Sequence, residues 1–360
     1  MTSRRNVANI VIDGRSIGAD QPPYIISEMS GNHNGDKERA LALIDTAADR
    51  GADAVKLQTY TADTITIDHD GPGFTVEGGL WDGRTLYDLY QEAHTPWEWH
   101  ADLFRRGRER GITVFSSPFD ETAVDFLEDL GCPAYKIASF EAMDLPLIRK
   151  AAATGKPLIV STGMITAEEI DDLQAALDAD GDGDAGYALL HCVSAYPAPI
   201  EASNIRTIPA LATRYNTVIG LSDHTPGTAV AVAAVSLGAA IVEKHVCLSR
   251  SEGGVDSAFS LEPQELETLV SDCRNAWAAL GTTQIGRQDA AEPSKIFRRS
   301  LYAVTDIPAG AELTRANVRS IRPGHGLAPR HMNRILGRRA SRRIARGTPL
   351  AWDLIMDNDA

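Results

Sequence analysis

Between residues 24 and 280 the sequence alternates short apolar runs with longer amphipathic runs eight times. The first apolar run is YIISE, and the last is AAIVEKH, which the helical pattern LEPQELETLVSDCRNAWAALG follows. Apolar strands separated by helices are typical of a parallel sheet that is buried on both faces. Eight such pairs in about 250 residues match a (β/α)₈ barrel in size and count. We therefore predict an α/β fold, a TIM barrel over residues 1–280.

An open, doubly wound sheet is the alternative for this pattern. Such a sheet usually begins with a glycine-rich phosphate turn, which is missing here. The run GDGDAG at 181–186 fits G-x-G-x-x-G, but it follows a helix, precedes a strand and contains two acids. The run that starts at Asp178 resembles half of a calcium loop, yet its twelfth position is Leu189, where a carboxylate belongs. Neither run predicts a ligand site.

A second module follows the barrel. We predict a linker over residues 281–293 and a small β-rich domain over residues 294–360, whose strand candidates are RRSLYAVT, NVRSIRP and RRIARGTPL. Residues 294–360 contain 13 Lys/Arg and 5 Asp/Glu, although the whole chain has a net charge of −14. This asymmetry indicates a module that faces an acidic partner or an anionic ligand.

The composition restricts the function classes. A net charge of −14 argues against nucleic acid as a partner, because nucleic-acid phosphates would be repelled by most of this surface. No uncharged apolar stretch of 18 residues occurs, and the first residues lack the apolar run of a signal peptide. The four cysteines show no C-x-x-C spacing and are expected to be buried free thiols. These features predict a cytoplasmic protein that does not bind membranes.

Polar side chains follow the apolar runs at the predicted strand ends, which meet at one face of a barrel and carry its catalytic groups. A buried lysine needs an anionic partner, so lysines among hydroxyls predict a cup that binds a phosphate or carboxylate ligand. The alternative is that Lys56 and Lys136 form structural ion pairs with Glu28 and Glu141. The side chains at the strand ends are Glu28, Lys56, Gln58, Ser117, Lys136, Ser139, Ser161, Thr162, Ser194, Ser222, His224 and His245.

Two histidines end the seventh and eighth predicted strands, which are neighbours in a closed barrel. His224 and His245 could together hold one divalent metal, since neutral imidazole suits Mn, Fe, Co and Zn. The alternative is two loop histidines that never meet. His33 and His191 are expected to be hydrogen-bonded core or loop histidines. The long segment from Thr59 to Thr95 is predicted to be a lid or a binding surface, because loops of this length are otherwise uncommon.

Several motifs, read in order, closely resemble the sialic acid synthase family over residues 24–355. The resemblance implies a barrel, a C-terminal domain similar to type III antifreeze protein (a SAF domain) and a domain-swapped homodimer. It also implies condensation of phosphoenolpyruvate with an open-chain N-acylamino sugar. The motifs are ISEMSGNHNGD, ADAVKLQTYTADTIT, SSPFD, YKIASFE, STGM, LLHCVSAYPAP, GLSDHT and EKHVCLSR.

Within that family, EMSGNHN, LQTYTADT and GGLWDGRTLYDLYQEAHTPWEWH are most similar to the pseudaminic-acid branch. That branch uses an altrose-configured 2,4-diacetamido-2,4,6-trideoxyhexose. Ser194 stands where sialic acid synthases usually carry asparagine, which argues against N-acetylmannosamine. The alternatives are a synthase that acts on the legionaminic or sialic precursor, a metal-dependent barrel hydrolase and a carbohydrate-binding protein.

The resemblance also implies roles for individual residues. His224 and His245 would hold a divalent metal, Mn²⁺ before Mg²⁺ or Co²⁺. Glu28 and Glu141 would lie near the reacting carbons, and Glu28 would position or deprotonate the attacking water. The groups for phosphoenolpyruvate would be Lys56, Ser117, Lys136, Ser139, Ser161 and Ser222, and those for the substrates more generally Gln58, Thr162 and Ser194. Tyr196 and Asp256 would approach the sugar, and Arg322 of RPGHG would reach the sugar's N-acetyl group across the dimer.

Overall fold

A computed structural model describes residues 9–180 and 186–356 of the chain. The chain divides into two compact units, with the boundary between Gly281 and Thr282. The first unit contains a closed barrel of eight parallel strands, in which the last strand pairs with the first. The predicted TIM barrel is therefore confirmed, and the open sheet is excluded by the pairing that closes the ring.

The barrel strands are short and buried on nearly every residue, as expected for strands covered on both faces. They pair in register around the ring, each with the next in sequence. They are β1 Tyr24–Glu28, β2 Ala54–Thr59, β3 Thr113–Pro118, β4 Tyr135–Ile137, β5 Leu158–Ser161, β6 Tyr187–Cys192, β7 Val218–Asp223 and β8 Ile241–His245.

Ten helices accompany these strands in the described part of the first unit. They are α1 Lys37–Asp49, α2 Ala62–Ile65, α3 Leu86–Ala93, α4 His100–Arg110, α5 Glu121–Asp129, α6 Leu145–Ala152, α7 Ala167–Asp180, α8 Thr207–Tyr215, α9 Ala229–Ser236 and α10 Pro263–Leu280. The Asp36 carboxylate caps α1 by accepting hydrogen bonds from two backbone N–H groups of the first turn. A 3₁₀ turn, Trp97–Trp99, immediately precedes α4.

A two-stranded hairpin, Ile10–Ile12 paired with Arg15–Ile17, precedes the barrel. The alternation of apolar and amphipathic runs begins at residue 24, so it did not predict this hairpin. Its isoleucines are buried in the main core. Arg15 forms an ion pair with Asp53, which lies just before β2. The hairpin therefore packs against the amino ends of the strands and leaves the carboxyl ends for the site.

The second unit has its own small core and little regular structure. Its strands are β9 Ser300–Ala303 and β10 Val318–Ile321, which pair antiparallel, and its helix α11 spans Met332–Ile335. The third strand candidate, RRIARGTPL, does not form a regular strand. Only isolated bridges occur there, Ile307 to Ile344 and Tyr302 to Pro349, because a glycine and a proline interrupt the pairing.

Three predictions concern the cysteines, membrane-spanning helices and the GDGDAG run. The cysteines are buried and free, as expected. Within residues 9–180 and 186–356, no helix has the length and apolar character needed to cross a membrane. The GDGDAG run lies outside the described residues except for Gly186, as do the first eight residues of the chain.

The end of β8 shows how strand alternation separates the charged side chains. Glu243 and His245 point into the barrel, whereas Lys244 points out toward α10. The Lys244 ammonium donates to the Asp223 carboxylate at 2.7 Å and to the Thr225 carbonyl at 2.5 Å. Both side chains of this pair are 1% exposed, so each charge depends on the other for compensation.

We expect Lys244→Met to lower the free energy of unfolding by about 3 kcal/mol, because it leaves the buried Asp223 carboxylate without a counter-ion. Adding Asp223→Asn should recover at least half of this loss, since the amide oxygen can still accept from Thr225. Urea unfolding followed by circular dichroism measures both. An equal loss in the single and double variants would contradict the structural role of the pair.

Candidate active site

Two lysines enter the barrel interior near its carboxyl end, from β2 and β4. The Lys56 ammonium lies 3.1 Å from the Glu28 carboxylate and 3.2 Å from the Glu243 carboxylate. The Lys136 ammonium lies 3.8 Å from Glu243 and donates to the Ser161 hydroxyl at 2.7 Å. Of the two ion pairs that the alternative named, the pair of Lys56 with Glu28 is present. The second carboxylate between the lysines is Glu243, in place of Glu141.

Glu243 was missed in the sequence. Strand alternation could have found it, because His245 points inward and the residue two positions earlier on β8 must do the same. Burial alone would raise the pKa of Glu243, but Lys136 and Lys56 together hold it below its usual range. One of its oxygens, Oε2, has no hydrogen-bond partner in the described part of the chain. Glu243 is thus a charged carboxylate that bridges both lysines.

A chain of hydrogen bonds leads from Glu28 toward β8. The Gln58 amide donates to the Glu28 carboxylate at 2.8 Å and to the Ser30 hydroxyl at 3.1 Å. Ser30 in turn donates to the Asp256 carboxylate, which lies 3.9 Å from Nδ1 of His245. Four predicted site residues are therefore connected, and Ser30 joins them although no sequence pattern indicated it.

Glu28 and Glu141 have pKa values near neutrality. Burial raises the pKa of Glu28 to about 7, Glu243 adds to the rise, and Lys56 opposes it. Burial likewise raises the pKa of Glu141 to about 7. Oε2 of Glu141 has no partner among the described side chains. Near pH 7 both carboxyl groups are therefore suited to giving or taking a proton.

The predicted hydroxyl groups line the same cup. Ser117 lies 3.4 Å from the Lys56 ammonium, and Ser222 donates to Glu243. The Ser139 hydroxyl accepts from the backbone N–H of Gly163, where an added Cβ would lie 3.0 Å from Ser139 Oγ and 2.6 Å from Ser194 Oγ. Ser139 and Ser194 therefore share one side of the cup.

Thr162 is oriented differently from these serines. Its hydroxyl donates to the Leu190 carbonyl of the neighbouring β6, so it also links two strands. Its predicted role in substrate binding stays a prediction.

The two histidines of the predicted metal site meet. The ring centroids of His224 and His245 lie 5.3 Å apart, so the alternative of histidines that never meet is wrong. Nδ1 of His224 lies 3.0 Å from the Val193 carbonyl and therefore carries a hydrogen, which leaves Nε2 for a ligand. His33 and His191, by contrast, are engaged in hydrogen bonds away from this pair, as expected.

His245 is held in its neutral form. Burial lowers its pKa well below the usual value, and the positive charges of His224 and the nearby lysines lower it further. Its Nδ1 is buried without a hydrogen-bond partner in the described part of the chain. A neutral imidazole with an unused lone pair fits a metal ligand. No group of three or more His, Cys, Asp or Glu side chains with metal-binding geometry occurs among the described residues.

Aromatic side chains surround the histidine pair. Tyr196 lies 4.4 Å from the His224 ring and 5.4 Å from the Phe259 ring. The ring centroid of Trp81, from the insertion over residues 59–95, lies 5.7 Å from that of Tyr196. The insertion therefore reaches the site, as predicted for a lid or binding surface. Arg322 is exposed directly after β10 in the second unit, and its role across a dimer stays a prediction.

The site has two chemically distinct halves. Lysines and hydroxyls on β2 to β5 form an anion-binding half, because two buried ammonium groups attract negative charge. The imidazoles of His224 on β7 and His245 on β8 form a half that can hold a Lewis-acidic cation. The carboxyl groups of Glu28 and Glu141 supply proton transfer near neutral pH. This combination suits the joining of an anionic substrate to a carbonyl compound.

Comparisons with known proteins agree with this geometry. The profile of the NeuB family matches residues 43–285, and the profile of the SAF domain matches residues 298–356. Pseudaminic acid synthase of Campylobacter jejuni is 42% identical over 335 residues, which cover 93% of this chain and 97% of that protein. N,N'-diacetyllegionaminic acid synthase of Legionella pneumophila is 34% identical, covering 99% of both chains.

A solved structure is similar as well. N-acetylneuraminic acid synthetase of Leptospira borgpetersenii, in complex with citrate, superposes with a TM-score of 0.72 at 31% identity, covering 80% of this chain and 95% of that one. The NeuB match extends over more than half of the chain, through most of the strands that carry the lysines and histidines. The chain therefore belongs to the NeuB family, the family of the sialic acid synthases, and is a carbon–carbon bond-forming synthase with a SAF domain after its barrel.

Proposed function

We propose that the chain is a pseudaminic acid synthase. It would condense phosphoenolpyruvate with open-chain 2,4-diacetamido-2,4,6-trideoxy-altrose and water, releasing pseudaminic acid and phosphate. The observation that carries the proposal is the pair of buried lysines in a hydroxyl-lined cup beside two neighbouring histidines. The likeness to the Campylobacter jejuni enzyme over almost the whole chain supports the choice of sugar.

The lysines and serines would bind phosphoenolpyruvate. Its phosphate and carboxylate supply the negative charge that Lys56 and Lys136 require, and the hydroxyls of Ser117 and Ser161 already lie beside these ammonium groups. Because these donors are fixed by strands, they need little rearrangement when charge shifts during the reaction. Such preorganised donors contribute about 3 kcal/mol each to transition-state stabilisation in other enzymes.

His224 and His245 would hold a divalent cation, with Mn²⁺ as our choice before Mg²⁺ or Co²⁺. The unused Nδ1 of His245 and the free Nε2 of His224 fit such a ligand pair. When bound, the cation would supply Lewis acidity toward the carbonyl oxygen of the sugar. Tyr196 and Phe259 pack around the two imidazoles and limit the access of water to them.

The carboxyl groups of Glu28 and Glu141 would accept and donate protons during the reaction. The C2–C3 double bond of phosphoenolpyruvate opens as carbon 3 bonds to the sugar aldehyde carbon. The aldehyde C=O becomes a hydroxyl group by taking up a proton, and water adds to carbon 2. Glu28, fixed by Lys56 and Gln58, would take the proton from that water, and phosphate then leaves by cleavage of its bond to carbon 2. Glu141 is the second group that can hold a proton at neutral pH.

A synthase of the same chemistry that acts on another sugar is the second candidate. The Legionella pneumophila relative, named an N,N'-diacetyllegionaminic acid synthase, supports this alternative at 34% identity. Ser194, next to Ser139 in the cup, has a shorter side chain than asparagine and favours a sugar other than N-acetylmannosamine. In a barrel hydrolase or a carbohydrate-binding protein, the two buried lysines would serve only the ion pairs with Glu28 and Glu243.

We expect rapid phosphate release only when phosphoenolpyruvate is combined with the altrose-configured diacetamido sugar. The legionaminic precursor and N-acetylmannosamine should react at least about tenfold more slowly in kcat/KM, a typical discrimination for small differences in a sugar pocket. A colorimetric phosphate assay with Mn²⁺ measures this. Turnover with N-acetylmannosamine alone would contradict the assignment, and phosphate release without any sugar would indicate a hydrolase.

Removal of metal ions should abolish activity, and Mn²⁺ should restore it. Equilibrium dialysis of the wild type should give about one Mn²⁺ per chain, whereas His224→Gln and His245→Gln should each lower Mn²⁺ affinity by at least about tenfold, because each removes one of two protein ligands. His191→Gln is the matched control, since His191 bonds to the Ser203 carbonyl instead. Equal Mn²⁺ binding by all three variants would contradict the site.

The rate should fall with acidity below about pH 7. Glu28 must be deprotonated to accept a proton, and its pKa of about 7 makes this active fraction decrease as the pH falls. Glu28→Gln should lower kcat by about 100-fold or more and remove the acid limb from the pH profile of kcat. Glu141→Gln should keep that limb. If Glu28→Gln retains it and Glu141→Gln loses it, the roles are reversed.

A further inference from the structure

Trp81 fixes the long insertion to the loop after β8. Its indole Nε1–H donates to the Val255 carbonyl at 2.9 Å. Val255 also packs with Leu89 and Ala93 of α3 in a small apolar cluster that Trp81 joins. The next residue is Asp256, whose carboxylate lies beside His245. The insertion is therefore attached next to the active site.

The rings of Trp81, Tyr196 and Phe259 form an aromatic wall next to the histidine pair. The ring centroid of Tyr196 lies 4.4 Å from that of His224 and 5.7 Å from that of Trp81. Phe259 packs on Tyr196 and on His245. The only polar atom of the Trp81 side chain is already used by Val255. The Trp81 end of the wall therefore offers an apolar surface.

We infer that Trp81, with Tyr196, selects sugars whose far end lacks a hydroxyl group. The inference rests on the proposed function, in which the aldehyde end of the open-chain sugar faces the histidines. Six carbons in an extended chain span about 6 Å, since each C–C bond is about 1.5 Å long. The far end of the sugar then lies along the Tyr196–Trp81 wall.

A methyl group at that end gains from contact with the aromatic rings. A hydroxymethyl group in the same place gives up hydrogen bonds to water, and the indole cannot replace them because its Nε1–H is committed. Trp81 is thus a specificity-determining residue for a 6-deoxy sugar. Lys56 and Lys136 hold the other substrate, so Trp81 should leave the binding of phosphoenolpyruvate unchanged.

The test uses two sugars that differ by one oxygen atom. They are 2,4-diacetamido-2,4,6-trideoxy-altrose and the same sugar with a hydroxyl at carbon 6. Their borohydride-reduced alditols are open-chain, unreactive probes for calorimetric binding. The readouts are the ratio of the two alditol Kd values, the ratio of the two kcat/KM values and the KM for phosphoenolpyruvate.

The wild type should prefer the 6-deoxy form by about tenfold or more in both ratios. Trp81→Ala should reduce the preference to about twofold and leave the KM for phosphoenolpyruvate within about twofold. Trp81→Phe keeps an aromatic ring and should retain most of the preference. This variant therefore tests the role of the ring even if the alanine variant misfolds. Trp277→Phe is the matched control, because its indole also donates to a backbone carbonyl, that of Ala19, away from the strand ends.

Two outcomes would overturn the inference. One is an unchanged preference in Trp81→Ala, and the other is a wild type that binds both alditols equally or binds neither. Failure of the proposed function looks different, because it is a wild type that releases no phosphate with either sugar. In that case the Kd ratio of the two alditols still decides whether Trp81 selects the deoxy end.

Discussion

The barrel interior depends on the ion pairs that the buried Glu243 carboxylate forms with Lys56 and Lys136. Two ammonium groups enclosed in one barrel repel each other, and each loses several kcal/mol of hydration when it is buried. Glu243 reaches both of them, and Glu28 adds a second contact to Lys56. The positive charge that the phosphate and carboxylate of the proposed substrate would need can therefore be present before the substrate arrives.

The same positive charge acts on the histidine half of the site. Lys56 and Lys136 contribute to the low pKa of His245, so the lysines that attract an anion also keep this imidazole unprotonated. A protonated His245 could not bind a cation. In the proposed synthase, anion binding on β2 to β5 and cation binding on β7 and β8 would thus be coupled through charge across the barrel. Lys244, one position from His245, is excluded from the cup because it points outward to Asp223.

The sequence allowed the barrel and most of the cup to be predicted, because both depend on periodic patterns. Strand ends carry Lys56, Lys136, His224 and His245, and a closed ring brings these ends together whatever the loops do. Glu243 was overlooked because the conspicuous residue of its strand is the adjacent Lys244, which faces the other way.

Contacts between distant loops were beyond the reach of pattern analysis. Ser30 joins Gln58 to Asp256 through a bond that spans 226 positions of sequence, and Trp81 reaches the Val255 carbonyl over 174 positions. No local periodicity specifies such pairs. The N-terminal hairpin was missed for another reason, since its strands have three residues each, too few to show an alternation.

A count of charges explains why the proposed synthase would need a cation in addition to its two buried lysines. Phosphoenolpyruvate carries about −3 near neutral pH, because a carboxylate adds to a phosphate of nearly two charges. The two lysines and Glu243 together provide only about +1 against it. A divalent cation at the histidine pair would bring the sum of these charges close to zero. Because burial raises the pKa of Glu28 to about 7, this carboxyl group is partly ionised near neutral pH, so it can take the proton from water without adding a full negative charge beside the substrate.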